Sequence, residues 1–117
     1  MALNEQRFHI LVSLARGPLH GYGIAEEISS ITNGESRPRP GSLYHALDKL
    51  VEQDLVAADR EEVVDGRLRR YYRLTEHGTK TLTQEAIRRQ RAAEVALDRL
   101  GALDALGGVT RLAGGEA

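Results

Sequence analysis

Four arginines, Arg67, Arg69, Arg70 and Arg73, fall within a seven-residue stretch that holds no acid, with Tyr71 and Tyr72 among them. A guanidinium is a permanently charged planar fork that matches phosphate oxygens, and tyrosine hydroxyls add neutral donors. The segment is therefore chemically suited to gripping a row of phosphates. Asp65-Gly66 just before it is a two-residue hairpin turn signal. The period of two then puts Leu68, Tyr72 and Leu74 on one face of the return strand, and Arg67, Arg69, Tyr71 and Arg73 on the other. With that turn, Val64 lies opposite Arg67, Val63 opposite Leu68, Glu62 opposite Arg69 and Glu61 opposite Arg70. Opposite charges facing each other across strands contribute roughly 0.2–1 kcal/mol each. Arg69 and Arg70 are thus expected to be held by their own glutamates, while Arg67 and Arg73 face no carboxylate. Arg69 can serve both roles, because an exposed ion pair is weak and a phosphate competes for it.

The elements that must position this segment lie on either side of it. A helix starts near Ser42, with Leu43, Ala46, Leu47, Leu50 and Val51 on its apolar face. Its polar side carries His45, Asp48, Lys49 and Glu52, flanked by Ser42 and Tyr44. Such a helix can enter a DNA major groove with its N-terminal half. Ser42 and Tyr44 are candidate phosphate donors there, and His45 and Lys49 candidates for base edges or backbone. Asp48 and Glu52 would repel phosphate, which confines the candidates to the first turns. The loop E-S-R-P-R-P-G precedes this helix. Its prolines at 38 and 40 push Arg37 and Arg39 toward extended conformations, so these two cations are held outward.

Further elements complete the frame. Residues 4–16 read as a helix capped by Asn4 and ended by Gly17-Pro18, and Tyr22 to Ile31 as a second helix. Residues 55–64 and 67–74 are the hairpin strands. Thr75 caps a last helix to about Leu103, about 40 Å long at 1.5 Å per residue, with Leu82, Ala86, Ala93, Leu97, Leu100 and Leu103 among its apolar positions. The fold class expected is mainly α with a small antiparallel β-hairpin. It is a winged helix-turn-helix over residues 1–74, one long helix over 75–106, and a flexible tail over 107–117.

Composition bounds the alternatives. The 117 residues, 41% hydrophobic and 28% charged, fit one soluble domain. No apolar run approaches the roughly 18 residues of a membrane span, and no secretory signal is visible. The absence of cysteine excludes disulfides, thiolate metal sites and cysteine catalysis, and agrees with a cytoplasmic location. The four histidines are scattered without metal-ligand spacing, no cofactor motif is present, and no catalytic set stands in a recognisable motif, so no enzyme is expected. Net charge is −1, so attraction to a polyanion must come from where the charges lie.

Three motifs, G-P-L-H-G-Y-G-I at 17–24, P-G-S-L-Y-H-A-L-D-K-L at 40–50 and Y-Y-R-L-T-E-H-G at 71–78, resemble the PadR family of transcriptional regulators in order and spacing over residues 8 to about 82. The resemblance implies a homodimeric winged helix-turn-helix protein, usually a repressor. It would bind a palindromic double-stranded operator; a small-molecule effector of unknown identity that releases it is a further candidate partner. Two recognition helices would then sit in successive major grooves about 34–36 Å apart. The resemblance also implies that the helix after the wing forms much of the dimer interface. That assigns Leu82, Ala86, Ala93, Leu97, Leu100 and Leu103 to dimerisation, with Phe8. A single such helix is similar to the short subfamily. By the same likeness, Ser42 and Tyr44 match the recognition-helix motif, and Tyr72 the packing tyrosine before R-L-T. The chain departs from the family in three places. His45 stands where proline is usual, the loop carries R-P-R-P, and the last helix lacks the tryptophan on which some multidrug-sensing members stack planar ligands. A rival expectation is a winged-helix protein–protein interaction module without DNA binding; the local charge argues against it.

Overall fold

The computed structural model describes residues 3–102. They form α1 (Glu5–Ser13), β1 (Leu19–His20), α2 (Gly21–Ile31), α3 (Pro40–Glu52), β2 (Val56–Val64), β3 (Arg67–Leu74) and α4 (Glu76–Arg99). The described residues fall into two compact units, one up to Thr83 and one from Gln84 onward.

Local chemistry sets the helix limits in the first unit. The Asn4 side chain accepts from the Arg7 N–H at 2.8 Å and starts α1. The helix stops at Ser13, three residues short of the expected end. From there the chain leaves by turns through Leu14 and Ala15 to Gly17, whose φ of 149° suits glycine alone. α3 begins at Pro40, two residues before Ser42, because a proline at the first helical position gives up an N–H that has no helical partner anyway. Arg39 before it is extended (φ −78°, ψ 151°), as a residue preceding proline should be.

Two residues between the first two helices, Leu19 and His20, make a third strand that periodicity did not reveal. They pair antiparallel with Tyr72 and Tyr71, so the sheet order is β1-β3-β2 and the arginine-bearing strand is central at its base. Ile10, Leu11, Leu14, Ile24, Ala25, Ile28, Leu43, Ala46, Leu47, Leu50, Leu55, Val56 and Tyr72 form the buried core, which joins the three helices to the foot of the hairpin. Each fully buried large aliphatic side chain contributes about 1.5–3 kcal/mol, enough to fix α3 by its apolar back. Thr75 ties the sheet to α4: its hydroxyl donates to the Asp54 carbonyl at 2.6 Å and accepts from the Gly78 N–H at 2.9 Å. Gly78 itself lies against the Leu55 carbonyl, where a Cβ has no room.

Within the second unit, the α4 segment from Gln84 carries exposed Ile87 and Val95, and Leu100 just after the helix is exposed too. Glu85 is buried and receives hydrogen bonds from Arg88 and Arg89 one turn on, the latter at 2.9 Å. These two arginines hold the Glu85 carboxyl below the usual carboxylate range. The helix ends at Arg99 rather than near Leu103, because Gly101 adopts φ 73° and turns the chain out of the helix. Leu103 and the expected tail 107–117 lie outside the described residues.

Candidate nucleic-acid interface

The α3 helix presents the polar residues read from the sequence. Leu43, Ala46, Leu47 and Leu50 are buried, while Ser42, Tyr44, His45 and Asp48 are exposed and Lys49 half-buried. The Ser42 hydroxyl accepts from the Gln6 side chain at 2.9 Å, which leaves its own proton free to donate. Lys49 lies 3.9 Å from Glu52, a loose pair open to solvent on the Glu52 side. Tyr44 leans across to the start of α2, so that its hydroxyl occupies the space a side chain at Gly21 would need. Glycine at 21 lets the α3 tyrosine and the α2 backbone come together.

The hairpin turn is as the sequence predicts. Asp65 and Gly66 adopt φ 51° and 77°, the left-handed pair of a two-residue turn. Arg67 pairs with Val64, Leu68 with Val63, Arg69 with Glu62 and Arg70 with Glu61. Arg70 Nε donates to Glu61 at 3.2 Å, as expected from that register.

Two expectations about the arginines are corrected. A bulge between Ala58 and Glu61 shifts the register below the tip. It brings Asp59 within 3.6 Å of Arg73 Nε, so Arg73 does face a carboxylate. Glu62 does not hold Arg69 either. It accepts from Arg60 Nε at 3.0 Å, and Arg60 with help from Tyr71 keeps its carboxyl below the usual range. Arg69 instead reaches back to His20, its Nη1 lying 3.2 Å from Nδ1 and 3.0 Å from Nε2. Of the loop cations, Arg37 donates to Glu26 at 2.9 Å and sits 5.4 Å from the Tyr22 ring centre. Arg39 and Arg67 are exposed and have no side-chain partner among the described residues.

These pieces converge on one cleft of about 330 Å³, lined by His20, Gly21 and Tyr22 at the start of α2, Tyr44 of α3, and Arg67, Leu68, Arg69 and Arg70 of β3. The positive end of the α2 dipole, three guanidinium groups and a tyrosine hydroxyl therefore surround one space, which favours an anion. The structure thus assembles Tyr44, Arg67 and Arg69 around that space, while Arg73 lies toward the foot of the hairpin beside Asp59. The sequence reading missed His20 and Arg60. His20 lies inside the G-P-L-H-G-Y motif, and its role depends on a residue 49 positions away. Arg60 lies 4.0 Å from the Tyr71 ring centre and diverts Glu62. Among the described residues no cluster of histidines and carboxylates is placed to hold a metal ion, and no helix is long and apolar enough to cross a membrane.

Three helices and a three-stranded sheet whose hairpin projects beside the third helix define a winged helix-turn-helix. Residues 10–84 match the model of the transcriptional regulator PadR-like family, and the chain belongs to that family. It is 39% identical to the transcriptional regulator Rv3488 of Mycobacterium tuberculosis over 95 residues, which are 81% of this chain and 82% of that one. Its fold is similar to that of a PadR family transcription regulator from Clostridium difficile (TM-score 0.67, 21% identity, 83% of this chain and 98% of that one). It is also similar to Bacillus subtilis PadR solved in complex with operator DNA (TM-score 0.64, 22% identity, 72% of this chain and 48% of that one).

Proposed function

We propose that this transcriptional regulator binds double-stranded operator DNA as a cytoplasmic homodimer and represses nearby genes until a small-molecule effector releases it. The cleft between α2, α3 and the wing carries the reading. It sets Tyr44, on the helix that would enter the major groove, beside Arg67 and Arg69, which carry no carboxylate partner among the described residues. In this reading Ser42, His45 and Lys49 face base edges or backbone, and Arg37, Arg39, Arg67, Arg69 and Arg73 face phosphates, Arg37 and Arg73 after leaving their carboxylates. A fold neighbour solved in complex with operator DNA supports the DNA-binding reading. Residues 1–74 serve as the DNA-binding domain, and α4 as the dimerisation helix. Exposed Ala86, Ile87, Ala93 and Leu100, half-buried Leu97 and the half-buried Phe8 of α1 supply apolar surface for a second copy. Leu82 contributes less, since it also packs on the core.

A mobility-shift assay with the DNA upstream of the chain's own gene tests the proposal. Retarded complexes that survive competitor DNA are expected. Failure to bind that fragment and randomised duplexes alike would leave a protein–protein module as the better account. Light scattering checks the assembly: a monomer at micromolar concentration would refute the dimer.

A further inference from the structure

His20 stands where three parts of the interface meet. Its backbone pairs with Tyr71 in the sheet, and its side chain is the N-cap of α2, Nδ1 accepting from the Gly23 N–H at 3.1 Å. Nδ1 therefore carries a lone pair, and the neutral ring keeps its proton on Nε2. Arg69 Nη1, which only donates, lies 3.2 Å from Nδ1 and 3.0 Å from Nε2, and in this tautomer only Nδ1 can accept from it, sharing its lone pair with the Gly23 N–H. The ring is fixed from both sides, edge-on to Tyr71 at 5.2 Å between centres and stacked on Tyr22 at 6.4 Å. Arg60 and Arg37 close the outer faces of those two tyrosines.

The chemical consequence concerns charge. Arg70 and Arg73 are oriented by carboxylates, which offset the charge they would offer a phosphate. Among the described residues, the side chain of Arg69 has His20 as its polar partner, and its Nε is buried with no hydrogen bond. A neutral acceptor orients a guanidinium without neutralising it. We propose that His20 is a positioning residue for DNA binding: by capping α2 and accepting from Arg69 at one nitrogen, it fixes an uncompensated guanidinium at the cleft for a backbone phosphate. This rests on the DNA-binding reading above.

The ring must stay neutral to act in this way. Burial first, then the nearby Arg69 charge, push the His20 pKa below its ordinary value, against an opposing pull from Glu62. The groups facing it are Arg69, Glu62 and Tyr71 from the hairpin and Tyr22 from α2, with Tyr44 of α3 across the cleft.

A double-mutant cycle in operator affinity tests the role. Asparagine is a good N-cap, so His20→Asn keeps the start of α2 but cannot place Arg69. His20→Asn and Arg69→Gln should each weaken binding about fivefold, and the double variant about fivefold as well, since coupled residues are not additive. Multiplying losses would overturn the proposal, because His20 would then act through helix stability alone. A second arm needs no DNA. In a proton NMR titration of the full chain, Arg69→Gln should move the His20 pKa up toward 6.5; an unmoved titration would overturn the contact itself. If the titration moves but the wild type binds no DNA, the DNA-binding reading has failed and the positioning role falls with it.

Discussion

Arg67→Ala removes a wing-tip cation that no carboxylate engages among the described residues. If Arg67 meets one phosphate, its loss takes away one neutralised charge. The slope of log K against log salt should then become shallower by about 0.9. The affinity cost follows from a hydrogen bond to a charged group, on the order of 1.5 kcal/mol, or about tenfold in Kd at low salt. These two magnitudes must agree with each other. Over a fourfold rise in salt, a slope change of about 0.9 shrinks the penalty about 3.5-fold, from about tenfold to about threefold. Arg73→Ala is the internal comparison. Arg73 and Asp59 are 3.6 Å apart, so Arg73 arrives partly neutralised and its loss should change the slope by less than half as much. Fluorescence anisotropy with a short labelled operator duplex across a salt series measures both quantities. An unchanged slope for Arg67→Ala, or a larger loss for Arg73→Ala than for Arg67→Ala, would refute the assignment of free and offset charges on the wing.

The other expectations concern the frame and its charges. Gly78→Ala drives a Cβ into the Leu55 carbonyl, which is backbone and cannot swing aside, so unfolding by circular dichroism should show a loss of about 1–3 kcal/mol; unaltered stability would mean that α4 does not start against Leu55 in this way. Arg60→Ala should weaken DNA binding by more than one lost charge, because Glu62, released from Arg60, lies directly opposite Arg69 in register. Adding Glu62→Gln to Arg60→Ala should restore most of the difference, and a double variant as weak as the single would disprove the diversion. His20 has a folded pKa depressed below 6.5, so the unfolded chain takes up a proton first as pH falls. Its contribution to stability is then full above pH 6.5 and is lost as pH drops through the folded value. His20→Asn should flatten that part of a stability–pH profile, and a profile with the wild-type slope there would show that another group titrates.

The parts of this structure that were legible in the sequence are those set by local chemistry. Asp65-Gly66 could form only a left-handed turn, and that turn fixed four cross-strand pairs as read from the residues. The α3 helix was legible because Leu43, Ala46, Leu47 and Leu50 repeat on one side. What escaped depended on contacts that a period cannot carry. A period of two counts register only until an extra residue enters, and the bulge after Ala58 moved Asp59 to Arg73. The two residues of β1 are too few to show alternation, yet they bring His20 to the wing. Glu62 had two arginines within reach, Arg60 and Arg69, and the fold selected the one that sequence pairing did not favour.

That selection explains how a chain with a net charge of −1 can present a phosphate-binding edge. The hairpin holds five arginines, at 60, 67, 69, 70 and 73. Three are tied to carboxylates: Arg60 to Asp59 and Glu62, Arg70 to Glu61, and Arg73 to Asp59. Each acid is thereby occupied by another arginine, and the two arginines without a carboxylate partner among the described residues, Arg67 and Arg69, both line the cleft. The bulge sets Asp59 and Arg60 together opposite Tyr71, and from there Arg60 takes Glu62, which lies opposite Arg69 in register. The bulge and the His20 ring act together. One withdraws the competing carboxylate, and the other supplies a neutral acceptor that keeps Arg69 in place. Local positive potential at the cleft then follows from geometry rather than from an excess of basic residues.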